Sequence, residues 1–461
     1  MSEETLRAWV IVWFVAALFI LVRHWRGAAA GLVFTYVLTL AVMHWLAPVM
    51  YLLPWYTNVR FDLTADGLRQ STFAILGFAV GSEVMLAISK RRHFGVFTVS
   101  TSEGTPVDAR LVNLYLLSGI VLYAVVSPMA GRLPSATALV STGATLAVVA
   151  IGLKCWNSWI RKRPTLLWAW LAATMMLPVL TVLAQGFLGY GFAAMLTVFA
   201  FVASFYRPRW KVIVLATVLG YLGISVYVNY MRDRRDIRAV VWSGASVQDR
   251  VDQLTATFAT AEWFDADNVD HLNLIDSRLN QDYLIGAAVG YIGSGFAEHA
   301  RGTTFWDAAA AVIPRALWPN KPVVGGSGDL VSTYTGIRFA EGTSVGIGQV
   351  LESFVNFGTQ GVVICFLILG AVLTWIDRSA FDRLRVGDAN GFLIWYLPGL
   401  SLLQVGGSFM EVTSTAGAGL VVAIVLNKAA GYLLHRGEES EPEPEPETVT
   451  AESSERTEVS L

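Results

Sequence analysis

Apolar runs of membrane-crossing length recur from one end of this chain to the other. They stand near 8–22, 29–53, 71–88, 111–128, 135–153, 165–186, 190–205, 212–230, 358–375, 391–409 and 412–434. A hydrocarbon layer ~30 Å thick takes about 20 helical residues to cross. Inside it each backbone N–H and C=O must be paired within the segment, which leaves helices as the way through for separate runs. The chain is therefore read as an all-α polytopic membrane protein, a bundle of about 11 spans within a range of 10–12. Charged residues make up 15% of it, against about 25% in soluble domains. The first run follows Ser2-Glu-Glu-Thr, not a basic stretch, and no convincing Ala-x-Ala-like site follows it, so it is read as a retained span.

Basic residues orient the bundle. One set of short loops holds Arg23 and Arg26, Lys90 to Arg92, Lys154 with Arg161 to Arg163, Arg207, Arg209 and Lys211, and Arg378, Arg383 and Arg385. The opposite set holds Arg60, Arg69 and Arg132, with Arg7 at the terminus. Lys/Arg-rich short loops stay in the cytoplasm, whereas long loops translocate largely regardless of charge. This predicts an outside N-terminus, a cytoplasmic C-terminus, and residues 230–346 on the extracytoplasmic face. The expected organisation is an N-terminal bundle at 1–229, an extracytoplasmic segment with interfacial helices at 230–357, closing spans at 358–436, and an acidic cytoplasmic tail at 437–461. Nine of the chain's 35 acidic residues fall in that tail, which is too poor in apolar groups to order itself. Cys155 and Cys365 lack metal-ligand spacing, and neither a metal nor a cofactor is expected.

The outer segment concentrates the residues that could carry chemistry. Arg232, Arg234, Arg235 and Arg238 read as an interfacial cluster facing Asp233, Asp236 and lipid phosphate. Leu284 to Ala297 and Phe305 to Leu317 read as helices lying in the interface. The turn Pro314-Arg-Ala-Leu-Trp-Pro-Asn-Lys-Pro322 is stiffened by prolines, which fix their own φ and restrict the preceding residue. It holds Arg315 and Lys321 at a defined separation, with Gly325 to Gly328 close behind. A guanidinium binds phosphate oxygens bidentately and an ammonium acts as a point charge, so such a pair, with Arg278, suits a diphosphate. Glu352 precedes a strong apolar run in what reads as a half-inserted helix, with Asn356-Phe-Gly358 expected to end or kink it. An ionisable group at the edge of hydrocarbon is a functional candidate by default, here a proton acceptor. The alternative is a salt bridge from Glu352 to Arg278 or Arg315 that ties the loop to the bundle.

Taken together, the many spans, the long outer segment, the Pro-Arg-x-Leu-Trp-Pro-x-Lys-Pro turn and the later Glu352 with Asn356-Phe-Gly358 resemble the Wzy-type O-antigen or oligosaccharide repeat-unit polymerases. The resemblance is densest from Arg278 to Gly361, and Arg315 with Gly326 fits the Arg-x10-Gly spacing of such polymerases. It implies a GT-C-like helical fold and a glycosyltransferase of the bacterial inner membrane. The implied substrate is an undecaprenyl-diphosphate-linked oligosaccharide, polymerised at the outer face into O-antigen, capsule or exopolysaccharide. In that reading Glu352 and Arg315 are catalytic, and Arg278, Arg315 and Lys321 hold the diphosphate. Implied partners are the bilayer, a chain-length regulator and a flippase, and no nucleic acid. Three alternatives stay open: an O-antigen ligase, a GT-C transferase using an acid of Asp62-Leu-Thr-Ala-Asp66, and a flippase of lipid-linked sugars.

Overall fold

The computed structural model describes residues 2–25, 27, 29–92, 104–127, 137–206, 210–313, 318, 327–339 and 345–438. The acidic tail from 439 onward lies outside them. The fold is all-helical, with no strand among the described residues. The first half contains α1 (Glu3–Trp25), α2 (Leu32–His44), α3 (Leu46–Met50), α4 (Phe61–Arg92), α5 (Ala109–Val121, continued by a π-helical turn), α6 (Thr137–Ala144) and α7 (Leu146–Ile160). It continues through α8 (Pro164–Thr174), α9 (Leu177–Gln185), α10 (Leu188–Tyr206) and α11 (Trp210–Trp242). The polar segment carries α12 (Val247–Ala259), α13 (Val269–Leu279), α14 (Gln281–Gly293), α15 (Thr303–Ala311) and α16 (Ser327–Thr335). Last come α17 (Gln349–Arg385), α18 (Ala389–Leu402) and α19 (Phe409–Glu438).

Among the described residues, eight stretches are long and apolar enough to cross a membrane. They are Glu3–Trp25, Phe61–Ser89, Ala109–Val126, Leu139–Ile160, Pro164–Gln185, Leu188–Tyr206, Gln349–Arg385 and Phe409–Tyr432. The expected spans at 29–53, 212–230 and 391–409 fall on α2 with α3, on α11 and on α18, outside those eight. The first run is broken at Trp45, and the third leaves the helix at Leu403. The run at 212–230 lies within α11, which goes on unbroken to Trp242.

Helix α4 is the spine, and glycine explains how its neighbours reach it. A Cβ at Gly81 would lie 1.8 Å from the carbonyl oxygen of Leu367 on α17, and one at Gly77 2.6 Å from that of Val363. From the other side, a Cβ at Gly370 would lie 2.3 Å from the Phe78 carbonyl oxygen. Lipid supplies no hydrophobic drive between helices, so close backbone packing of small residues has to hold them. The N-terminal end of α4 is gripped the same way by α14, where a Cβ at Gly67 would meet the Asp282 carbonyl oxygen at 1.9 Å.

Polar bridges lock both ends. At one end Arg23 pairs with Glu83 at 2.8 Å, His24 meets Ser82 at 2.7 Å, and Thr374 donates to Ser82 at 2.9 Å. Glu83 on α4 is thus turned to α1. Asp377 on α17 accepts the backbone N–H groups of Ala30 and Leu32, closing the start of α2. At the other end Asp276 accepts from Tyr51, Arg60 and Asn280, fastening α13 to the loop between α3 and α4.

Candidate functional site

Gln349, Glu352, Ser353 and Asn356 fall at i, i+3, i+4 and i+7, which puts four polar side chains on one helical face. All eight residues from 349 to 356 are buried. Helix α17 then breaks: Phe357 is at φ −141°, ψ 22° and Gly358 at φ 63°, ψ −154°. The latter lies in a region open essentially to glycine alone. The expected kink at Asn356-Phe-Gly358 is therefore present, and α17 is a buried half-helix followed by a span.

A second interrupted element faces it. Between α18 and α19 the chain runs non-helically, and its carbonyls pair with the start of α17: Gly348 N–H donates to Gly406 O at 3.1 Å and Gln349 N–H to Val405 O at 3.0 Å. Gly346 and Gly406 allow this approach, since a Cβ at Gly346 would meet the Gly406 carbonyl oxygen at 1.9 Å. The Gln349 side chain donates to the carbonyls of Leu402 and Gln404 and accepts from the Tyr36 hydroxyl at 2.7 Å. Irregular backbone at such a place persists only where protein or a cavity satisfies it. Here the two breaks satisfy each other.

Glu352 sits at the junction, 1% exposed. Its Oε2 accepts the Phe409 N–H, the first of α19, at 2.6 Å. The Thr304 hydroxyl also bonds to the carboxylate, while receiving the Asn356 amide at 2.7 Å. Asn356 in turn accepts the Gly302 N–H at 2.9 Å, and its amide reaches the Glu352 carbonyl. Ala300 and Arg301 donate to the carbonyls of Val355 and Asn356, which the kink would otherwise leave unpaired. The segment just before α15 thus caps the half-helix. The side-chain charges bearing most on Glu352 are the acids Glu411 and Asp307. A carboxylate has about four lone-pair positions. Two are engaged, and the group retains capacity to take a proton.

The other expected site residues distribute differently. Arg278 is on the exposed face of α13, where its charge bears on Arg234 and Tyr227 of α11. No ion pair joins it to Glu352 among the described residues, so the salt-bridge alternative with Arg278 is not what holds Glu352. Arg315 and Lys321, with most of their proline turn, lie outside the described residues. Of the interfacial arginines, Arg232 clamps Asp233 at 2.8 Å. Two groups escaped the sequence reading. Thr304 carries no local signal, and its role follows only from the cap. The His44–Asp282 pair, Nδ1 to Oδ1 2.7 Å with both side chains sealed between α2, α4 and α14, joins residues 238 apart.

Residues 72–409 match a family described as a domain of unknown function, DUF8712. The chain belongs to that family. The match runs from within α4 to Phe409, the residue whose N–H meets Glu352, and so takes in both interrupted elements. No curated protein and no solved structure matches the chain.

Proposed function

We propose that this DUF8712 member polymerises oligosaccharide units carried on undecaprenyl diphosphate, at the outer face of a bacterial inner membrane. The acceptor hydroxyl attacks the anomeric carbon of the donor glycan and the bond to the diphosphate oxygen breaks. The diphosphate departs with the electron pair, and the hydroxyl proton passes to Glu352. Arg315, Lys321 and Arg278 neutralise the departing charge. The wider architecture in this reading is a GT-C-like bundle of about 11 spans, counting α2 with α3, α11 and α18 beside the eight long ones, with the N-terminus outside.

The observation that carries the reading is the position of Glu352: a sealed carboxylate at the meeting of two interrupted helices, roofed by the outer segment. Interrupted helices are a recurrent way of building a polar site at membrane depth. One observation favours a second reading, transport of lipid-linked sugar, since the sealed His44–Asp282 pair is an ionisable group of the kind proton-coupled carriers use. The two separate on the lipid-linked material in cells lacking the gene. Single repeat units accumulating on the outer face are expected for a polymerase. Units trapped on the cytoplasmic face would mean transport, and completed polymer held on the carrier would mean a ligase.

A further inference from the structure

On α11, Tyr227, Arg234 and Arg238 follow at i, i+7 and i+11, along one helical face. Helix α13 packs against α11 and brings Arg278 to Arg234. Arg234 is half-buried and Arg278 exposed. Among the described residues neither has an ion-pair or hydrogen-bond partner, although carboxylates abound nearby, and each of those is committed or turned away. Asp233 is clamped by Arg232. Asp276, on α13, is held by Tyr51, Arg60 and Asn280. Asp236 stands two residues from Arg234, on the far side of α11. Glu262 faces His271 at 3.4 Å. Arg238 is occupied with the Gly186 carbonyl and the Phe187 ring, its guanidinium 4.2 Å from the ring centroid.

Two neighbouring guanidiniums without a counter-ion repel each other, and the cost grows where one is withdrawn from water. Burial first, then the charges of Arg278 and Arg238, hold Arg234 below its ordinary range. An arrangement that sets cations together and points the carboxylates elsewhere is relieved by a bound anion. Two forked guanidiniums favour oxygens in tetrahedral display over a single halide.

We infer that Arg234 and Arg278, with Tyr227 near both, form a binding site for a phosphate-bearing anion where α13 packs against α11. Assigning that anion to the donor diphosphate rests on the proposed reaction; the binding itself does not. The same chemistry is offered by a lipid headgroup phosphodiester and by a soluble diphosphate, and the test has an arm for each.

The full-length protein in phosphatidylcholine nanodiscs is titrated with inorganic pyrophosphate. Arg234→Gln and Arg278→Gln should each weaken binding by about tenfold or more, the loss expected for a hydrogen bond to a charged group. Arg234→Lys, which keeps the charge but not the fork, should fall between wild type and the glutamine variant. Arg235→Gln makes the same change in net charge one residue away and should bind as wild type. Repeating the titration in phosphatidylglycerol discs separates the sources. Weaker pyrophosphate binding there that Arg234→Gln abolishes indicates a competing headgroup, and unchanged binding indicates the soluble diphosphate. Equal affinity in Arg234→Gln, Arg278→Gln and Arg235→Gln overturns the site, as does no binding by the wild type in phosphatidylcholine. Should that happen while Glu352→Gln still abolishes polymer formation, this inference falls and the proposed reaction stands. The reverse pattern leaves an anion site without the reaction.

Discussion

Asn356 shows how one side chain can hold two parts of this molecule in register, α17 and the segment at Gly302 to Thr304. Its oxygen accepts the Gly302 N–H, and its amide serves both Thr304 and the Glu352 carbonyl. Asn356→Ala would leave the part-buried Gly302 N–H and the buried Thr304 hydroxyl short of a partner, at up to about 1–3 kcal/mol for the buried group. We expect a lower unfolding midpoint in detergent and a Glu352 no longer held by Thr304; a variant as stable as wild type would show that the segment before α15 is not anchored there. The polar i, i+3, i+4, i+7 face of Gln349, Glu352, Ser353 and Asn356 was legible in the sequence, because helical spacing alone puts those residues together. Their partners were not. Thr304 and the Phe409 N–H lie 48 and 57 residues away from Glu352, and nothing in local spacing predicts that they meet it.

At the scale of elements, glycine decides which helices touch. A Cβ on Gly81 has the Leu367 backbone carbonyl only 1.8 Å away, so it has nowhere to go unless α4 and α17 separate. Gly81→Ala should therefore lower the unfolding midpoint and broaden the size-exclusion peak. Gly220→Ala, in α11 with nothing within 4 Å of the added carbon, makes the same chemical change without the clash. It should be neutral or stabilising by about 0.5–1 kcal/mol. Equal behaviour of the two variants would remove close packing as the cause. From the sequence, the apolar runs reveal helices but not their breaks. The run at 29–53 looks continuous, yet it is interrupted at Trp45, and His44 at its end turns to Asp282. The run at 391–409 likewise leaves the helix at Leu403, to place carbonyls where the start of α17 needs them. These breaks are answers to tertiary demands, which hydropathy does not encode. The kink at Gly358 was legible, because Asn-Phe-Gly is local chemistry.

On the scale of the whole molecule, the chain is a helical bundle with membrane-crossing stretches whose polar segment reaches back to cap a half-helix and covers the Glu352 carboxylate. Glu352 is 1% exposed beneath that cap. The central claim is that this carboxylate takes the proton in glycosyl transfer, as opposed to merely pinning α19 through the Phe409 N–H. Glutamine is the substitution that separates the two, since its side-chain oxygen can still accept from Phe409 and Thr304 but it is not a base at neutral pH. The decisive measurement is polymer formed per folded Glu352→Gln enzyme, with binding of a lipid-diphosphate analogue followed on the same preparation. The account predicts that polymer is lost by at least about 100-fold, the lower end of general-base contributions, while the analogue binds as it does to wild type. Near-normal polymer per folded enzyme would contradict it and leave Glu352 as a structural anchor.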